Sequence, residues 1–285
     1  MKVLVTGCKG QLGLEISKLS VSFKYNWIFT DIHELDLQSL GELDDKLNLI
    51  SPDIIINCAA YTNVDRAENE SEIANVINSH AVNVISKWTF KNNSKLIHIS
   101  TDYVFNGKSS KPLNENAETS PINMYGKTKL EGEKKCIVND PYCIIIRTSW
   151  LYSSFGHNFV KTMYNIMLNE KYINVINDQI GSPTYAEDLA NAILLIIKNE
   201  KWIPGTYHYS NEGCTSWFDF AVLIKNLFNF SVKINPINSD QYLSIAKRPK
   251  YSLLDKTKIK ETYDIKVPCY RESLKKCIKI IQNEE

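Results

Sequence analysis

A β-branched run, Lys2–Thr6, leads straight into Gly7-Cys8-Lys9-Gly10-Gln11-Leu12-Gly13. Residues 10–22 then carry helical spacing, with Leu12, Ile16 and Leu19 on one side. Few folds place a glycine-rich turn between a strand and a helix. Glycine takes positive φ at little cost and lets the backbone approach a bulky anion. A helix starting near Gly10 would aim its free N–H groups and positive dipole end at that anion. The pattern G-x-x-G-x-x-G in a first strand-to-helix turn is therefore read as the pyrophosphate cradle of a dinucleotide site. Gly7, Gly10, Gln11, Leu12 and Gly13 are its contacts. A second strand, 27–30, ends at Asp31, whose distance from Gly13 is close to the ~20 residues expected of an acid that accepts from the adenosine ribose. Asp31 would repel a 2′-phosphate and no Arg lies beside it, which favours NADH over NADPH.

The alternation continues. Residues 39–49 read as a helix and Asp53-Ile54-Ile55-Ile56-Asn57 as a third strand. A long helical pattern covers 70–92, a fourth strand 95–100, a helix 125–138 and a fifth strand 142–147. Continuous apolar strands separated by helices predict an α/β fold of Rossmann type, a doubly wound parallel sheet covered on both faces. The second half is less regular. It reads as a strand at 173–176, a capping box at Thr184-Tyr185-Ala186-Glu187 opening a helix to about 197, a turn at Pro204-Gly205, helices at 217–228 and 271–281, and a strand at 232–237. This predicts a smaller α+β substrate-binding lobe interleaved with the first. Residues 1–150 and 172–199 form the dinucleotide-binding part, and 151–171 and 200–285 the second lobe.

With 285 residues and 44% hydrophobic content the chain can bury a sizeable core. A net charge of +1 supplies no general field for nucleic acid or an anionic membrane. No apolar run approaches the ~20 residues that span a bilayer, and the first residues lack the pattern of a signal peptide. Seven cysteines without paired ligand spacing read as free thiols in a reducing cytoplasm. The five histidines show no ligand spacing either.

Tyr125-Gly126-Lys127-Thr128-Lys129 contains Tyr-x-x-x-Lys. Residues four apart share a helix face, which brings the Lys129 ammonium near the Tyr125 phenol. A nearby positive charge lowers a phenol's pKa from its usual ~10. Tyr125 could then give a proton to a carbonyl as hydride arrives. Ser100-Thr101-Asp102-Tyr103-Val104-Phe105 follows the fourth strand. Ligands in open parallel sheets bind beyond the carboxyl ends of strands, so Thr101 is placed to hold the substrate carbonyl oxygen. As a plain structural residue it would be a turn or N-cap hydroxyl.

Together these motifs resemble the extended short-chain dehydrogenase/reductase family, and within it the reductases of nucleotide-linked 4-keto sugars. The likeness runs over most of the chain. It includes Asn57-Cys58-Ala59-Ala60-Tyr61-Thr62-Asn63-Val64-Asp65-Arg66-Ala67-Glu68, Arg147-Thr148-Ser149-Trp150-Leu151-Tyr152, the stretch from Asp178 to Leu189, and Arg248-Pro249. The resemblance implies a triad of Thr101, Tyr125 and Lys129, with Tyr125 delivering the proton and Lys129 also holding the nicotinamide ribose of NADH or NADPH. It places Ala59, Ala60 and Tyr61 along the cofactor groove, with Asp36 and Leu37 near the adenine. Asp102, Tyr103 and Trp150 would border the sugar; a core aromatic is the other reading of Trp150. The related dehydratases carry Thr-Asp-Glu where this chain has Tyr103 third, so dehydration is disfavoured. A 4-epimerase shares the triad. The regulatory β subunit of methionine adenosyltransferase shares the pattern as a binding partner.

A sugar diphosphate needs cationic or N–H partners. Arg248 is the candidate, with a surface arginine as the other reading. Glu15, Glu187 and Asp188 could join a Mg²⁺ site, since some relatives carry a metal at their dimer contact, but the simpler and preferred reading is that Glu187 and Asp188 complement a helix N-terminus, and Mg²⁺ is not expected. The expected partner is a nucleotide-sugar substrate, with no nucleic acid or membrane, and a homodimer is possible.

Overall fold

In the computed structural model, which describes residues 1–283, the first half alternates as expected. Strands β1 (Lys2–Thr6), β2 (Asn26–Thr30), β3 (Ile54–Asn57), β4 (Lys95–Thr101) and β5 (Ile144–Thr148) are linked through six helices. These are α1 (Gln11–Ser20), α2 (Leu40–Ile50), α3 (Val64–Asn69), α4 (Ser71–Asn75), α5 (Ala81–Lys91) and α6 (Met124–Asn139). The single helix expected over 70–92 is α4 and α5 joined by a π-helical turn, Val76–His80. The chain continues through β6 (Leu151–Tyr152), α7 (Phe159–Asn169), β7 (Tyr172–Ile176), β8 (Ile180–Gly181), β9 (Thr184–Tyr185), α8 (Ala186–Lys198) and β10 (Gly205–Tyr209). It ends with β11 (Thr215–Ser216), α9 (Trp217–Phe228), β12 (Lys233–Ile237), α10 (Thr257–Tyr263) and α11 (Tyr270–Asn283).

Six strands form one parallel sheet in the order β10-β5-β4-β3-β1-β2. Side chains alternate across a pleated strand, so each apolar run feeds two cores. Val3, Val5, Ile54, Ile56, Ile97, Ile144 and Ile146 pack with α1, α8 and α10 on one face. Leu4, Ile55, Leu96 and Ile145 pack with α2 and α5 on the other. A third core, made by α7, α9, α11, β7 and β12, supports the second lobe. Among the described residues no helix is long and apolar enough to cross a membrane.

Three expectations shift. β7 pairs with β12 and belongs to the core of the second lobe, while β10 pairs with β5 at the edge of the main sheet. The capping box is absent: Tyr185 is the N-cap of α8 and makes no side-chain cap bond. Thr184 lies one residue early in β9, and its hydroxyl meets that of Thr148.

The chain reverses its direction of growth between β1 and β3. Ligands of doubly wound sheets bind in the crevice beyond such a switch point.

Candidate active site

Gly7 and Ala59 leave β1 and β3 side by side at that crevice. Gly7 has φ +64°, and a Cβ there would lie 2.7 Å from the Ala59 Cα. Gly13 lets α1 close onto the same turn: its Cβ would sit 2.5 Å from both the Cys8 Cα and the Gly7 carbonyl oxygen. From this cradle a cleft of about 1030 Å³ runs across the strand ends. Gly7, Gly10, Gln11, Leu12, Gly13, Asp31, Asp36, Leu37, Ala59 and Ala60 line one end. Thr101, Asp102, Tyr103, Tyr125, Lys129, Trp150 and Arg248 line the other. The cradle and the cleft fit a dinucleotide followed by a second ligand. Asp31 is held by the Lys9 N–H, 2.9 Å from Oδ2, and Lys9 also lines the cleft.

Tyr61 departs from this set. Its hydroxyl donates to Glu70, and its backbone N–H donates to Asn78 Oδ1 at 2.9 Å. Its side chain is thus turned along α3 and α4, and the neighbouring Thr62 and Asn63 face the cleft instead.

Three local features place the triad. Asn123 caps α6 by accepting the Gly126 N–H at 2.8 Å, and its amide donates to the Lys247 carbonyl at 2.8 Å. Gly126 lets that first turn dock on the 3₁₀ turn Asp102–Val104, because a Cβ would lie 2.2 Å from the Tyr103 carbonyl oxygen. The Tyr103 and Tyr125 rings then meet edge to face at 5.7 Å. One turn on, Lys129 Nζ donates to the Ile99 carbonyl at 2.6 Å, and one turn further Glu133 grips Arg147 of β5 in a buried ion pair of 2.7 Å.

The electrostatics correct one expectation. Burial pushes Tyr125 up to about 12; a Thr101 hydrogen bond pulls the other way and Asp102 adds to the rise. Lys129 is not among the groups that offset this rise, and its ammonium donates to the Ile99 carbonyl. Burial brings Lys129 itself down to about 8, with Glu133 opposing the shift. At neutral pH Tyr125 is a proton-loaded phenol and Lys129 is mostly charged.

Arg248 reaches the cleft, but Asp65 Oδ2 holds its guanidinium at 2.7 Å and the Ala246 carbonyl accepts from it at 3.2 Å. Burial alone would raise Asp65; its bonds to Arg248 and the Ala246 N–H hold it below its ordinary value. Trp150 has φ +47°, a left-handed backbone that an aromatic residue rarely adopts. Its indole stacks on Trp217 at 3.6 Å and 9°. Trp217 and Phe159 also line the cleft. The sequence reading did not single them out, since both sit at the start of apolar helices that look like core.

Glu15, Glu187 and Asp188 do not converge on a metal. Lys18 Nζ sits 2.7 Å from Glu187 and 3.8 Å from Glu15. Asp188 turns away to the Asn211 amide at 2.7 Å and to the Ser273 hydroxyl. Among the described residues no group of three or more His, Cys, Asp or Glu is arranged for a metal ion.

The family profile of the RmlD substrate-binding domain matches residues 1–283. The dTDP-4-dehydrorhamnose reductase of Aggregatibacter actinomycetemcomitans is 38% identical over 96% of this chain and 97% of its own. The crystal structure of a dTDP-4-dehydrorhamnose reductase from Clostridium acetobutylicum superposes with a TM-score of 0.95 at 39% identity, covering 99% of this chain and 100% of that one. The corresponding Bacillus anthracis protein, solved in complex with NADP, gives 0.94 at 36% identity, covering 98% and 99%.

Proposed function

The chain belongs to the RmlD substrate-binding domain family, and on that footing we propose that it reduces the C4 keto group of dTDP-4-dehydro-L-rhamnose to dTDP-L-rhamnose. NADH or NADPH supplies the hydride when bound. The observation that carries the reading is the placement of Thr101, Tyr125 and Lys129 in the cleft that starts at the glycine cradle.

Each residue has a task. Thr101 orients the carbonyl oxygen of the sugar. Tyr125, protonated at neutral pH, gives that oxygen its proton as negative charge gathers there. Lys129 holds the nicotinamide ribose. Trp150 and Tyr103 border the sugar, and Arg248 meets the diphosphate with the part of its fork that Asp65 does not hold. Asp31 favours NADH; Lys9 beside it offers a cation to a 2′-phosphate. Seven free thiols support a cytoplasmic setting.

The test is oxidation of reduced nicotinamide in the presence of dTDP-4-dehydro-L-rhamnose. Turnover should appear with the wild type and fall by ~10²–10⁴ in Tyr125→Phe, the usual worth of a positioned acid, while cofactor binding survives. Normal turnover in Tyr125→Phe would remove Tyr125 from the mechanism. Product formation from another nucleotide sugar alone would replace the substrate.

A further inference from the structure

Asp102 lies between two residues of the site and is 2% exposed. Its Oδ1 accepts the Thr101 hydroxyl at 3.2 Å. Its Oδ2 is buried and meets no donor at full hydrogen-bond geometry, the Ser252 hydroxyl being the nearby group that favours its charge. An ionised carboxylate taken out of water needs several good donors, and this one has few. A threonine hydroxyl also carries only one proton. While Thr101 gives that proton to Asp102, it has none to give to the carbonyl oxygen that Tyr125 protonates.

Resting on the reduction proposed above, we propose that Asp102 is a positioning residue that works as the neutral carboxylic acid. Protonated, it weakens its hold on the Thr101 hydroxyl, which turns to the substrate. It then also places no negative charge beside an oxygen that is itself becoming negative. Ionised, it keeps the Thr101 proton in a charge-assisted bond and opposes turnover.

The surroundings agree. On its own turn Asp102 faces Thr101 and Tyr103. From α6 it faces Tyr125, whose ionisation its charge would hinder. From the segment after Arg248 it faces Ser252. The cation of that segment, Arg248, is paired with Asp65, and Lys129 of α6 is bonded to the Ile99 carbonyl. Burial raises Asp102 to about 7, against the Ser252 and Thr101 hydroxyls that favour its charge. Its titration therefore falls where an enzyme works.

The experiment is the pH dependence of kcat/KM for dTDP-4-dehydro-L-rhamnose in the wild type and in Asp102→Asn, which carries a permanently neutral group of the same shape. Whatever the variant's absolute activity, the ratio of variant to wild type should rise about tenfold from about pH 6 to about pH 8, the one-proton factor for a group titrating midway. The descent that remains in the variant belongs to Lys129 and starts about a pH unit higher. A ratio that is flat or falls with pH overturns the proposal. Should Asp102→Asn fail to fold, Ser252→Ala serves: losing a hydroxyl that favours the charged form should move the alkaline descent to higher pH, and an unmoved descent overturns the proposal. A wild type without turnover removes the reaction and this role together. An active pair with a flat ratio removes only the role of Asp102.

Discussion

Removing Glu133 should cost the protein a large part of its stability. Its carboxylate, 1% exposed, accepts from Arg147 Nε at 2.9 Å and Nη2 at 2.7 Å, and from the Ser100 hydroxyl. Arg147 is itself buried, with the Phe105 ring 5.3 Å away and His208 Nε2 at 3.4 Å as its remaining company. Glu133→Ala therefore leaves a guanidinium in the core with no counter-charge. Breaking a buried pair from one side costs ~3–5 kcal/mol, against a total stability of about 5–15 kcal/mol. Arg147→Met should cost a similar amount by stranding the carboxylate. The double variant Glu133→Ala/Arg147→Met strands neither charge, and should be destabilised by at least about 2 kcal/mol less than the sum of the singles. Urea midpoints for the four proteins measure this directly. Singles costing below about 1 kcal/mol, or a double equal to their sum, would refute the reasoning, since the pair would then not depend on mutual compensation. The effect should reach the site too. Glu133 opposes the downward shift of Lys129, so in Glu133→Ala the Lys129 ammonium should be lost at a lower pH.

Gly13→Ala forces a methyl group to within 2.5 Å of the backbone of the glycine turn; overpacking of ~1–3 kcal/mol and at least about tenfold weaker cofactor binding are expected, read by thermal melting and by fluorescence titration with NADH. Trp217→Ala removes the indole under Trp150, and with stacking worth ~0.5–1.5 kcal/mol the KM for the nucleotide sugar should rise about three- to tenfold, more than the KM for the cofactor. Equal effects on both would show that the stack serves folding alone. Because Lys18 bridges Glu15 and Glu187, dialysis against a chelator should leave turnover unchanged and the melting temperature within about 1 °C.

The glycine cradle and the Tyr-x-x-x-Lys pair were legible because both are local. The turn needs glycine at fixed offsets, and helix geometry puts Tyr125 and Lys129 on one face whatever surrounds them. What depended on distant partners was not. β10 hides behind Pro204-Gly205, and only its register with β5, some sixty residues earlier, makes it a strand of the main sheet. Tyr61 continues a groove-lining run, yet Glu70 and Asn78 claim it. The expected lowering of Tyr125 by Lys129 left out burial, which raises the phenol and is a property of the whole fold. Trp217 gave no signal, because an aromatic at the start of an apolar helix reads as core until Trp150 is seen against it.

The two stacked indoles come from different parts of the molecule, Trp150 from the loop after β5 and Trp217 from α9 of the second lobe. Identical chromophores held face to face at 3.6 Å share their electronic excitation. The protein thus carries a built-in optical gauge between the loop after β5 and α9. Coupled circular dichroism and quenched emission from this pair should change with any displacement of α9 against that loop, and no external label is needed to follow it.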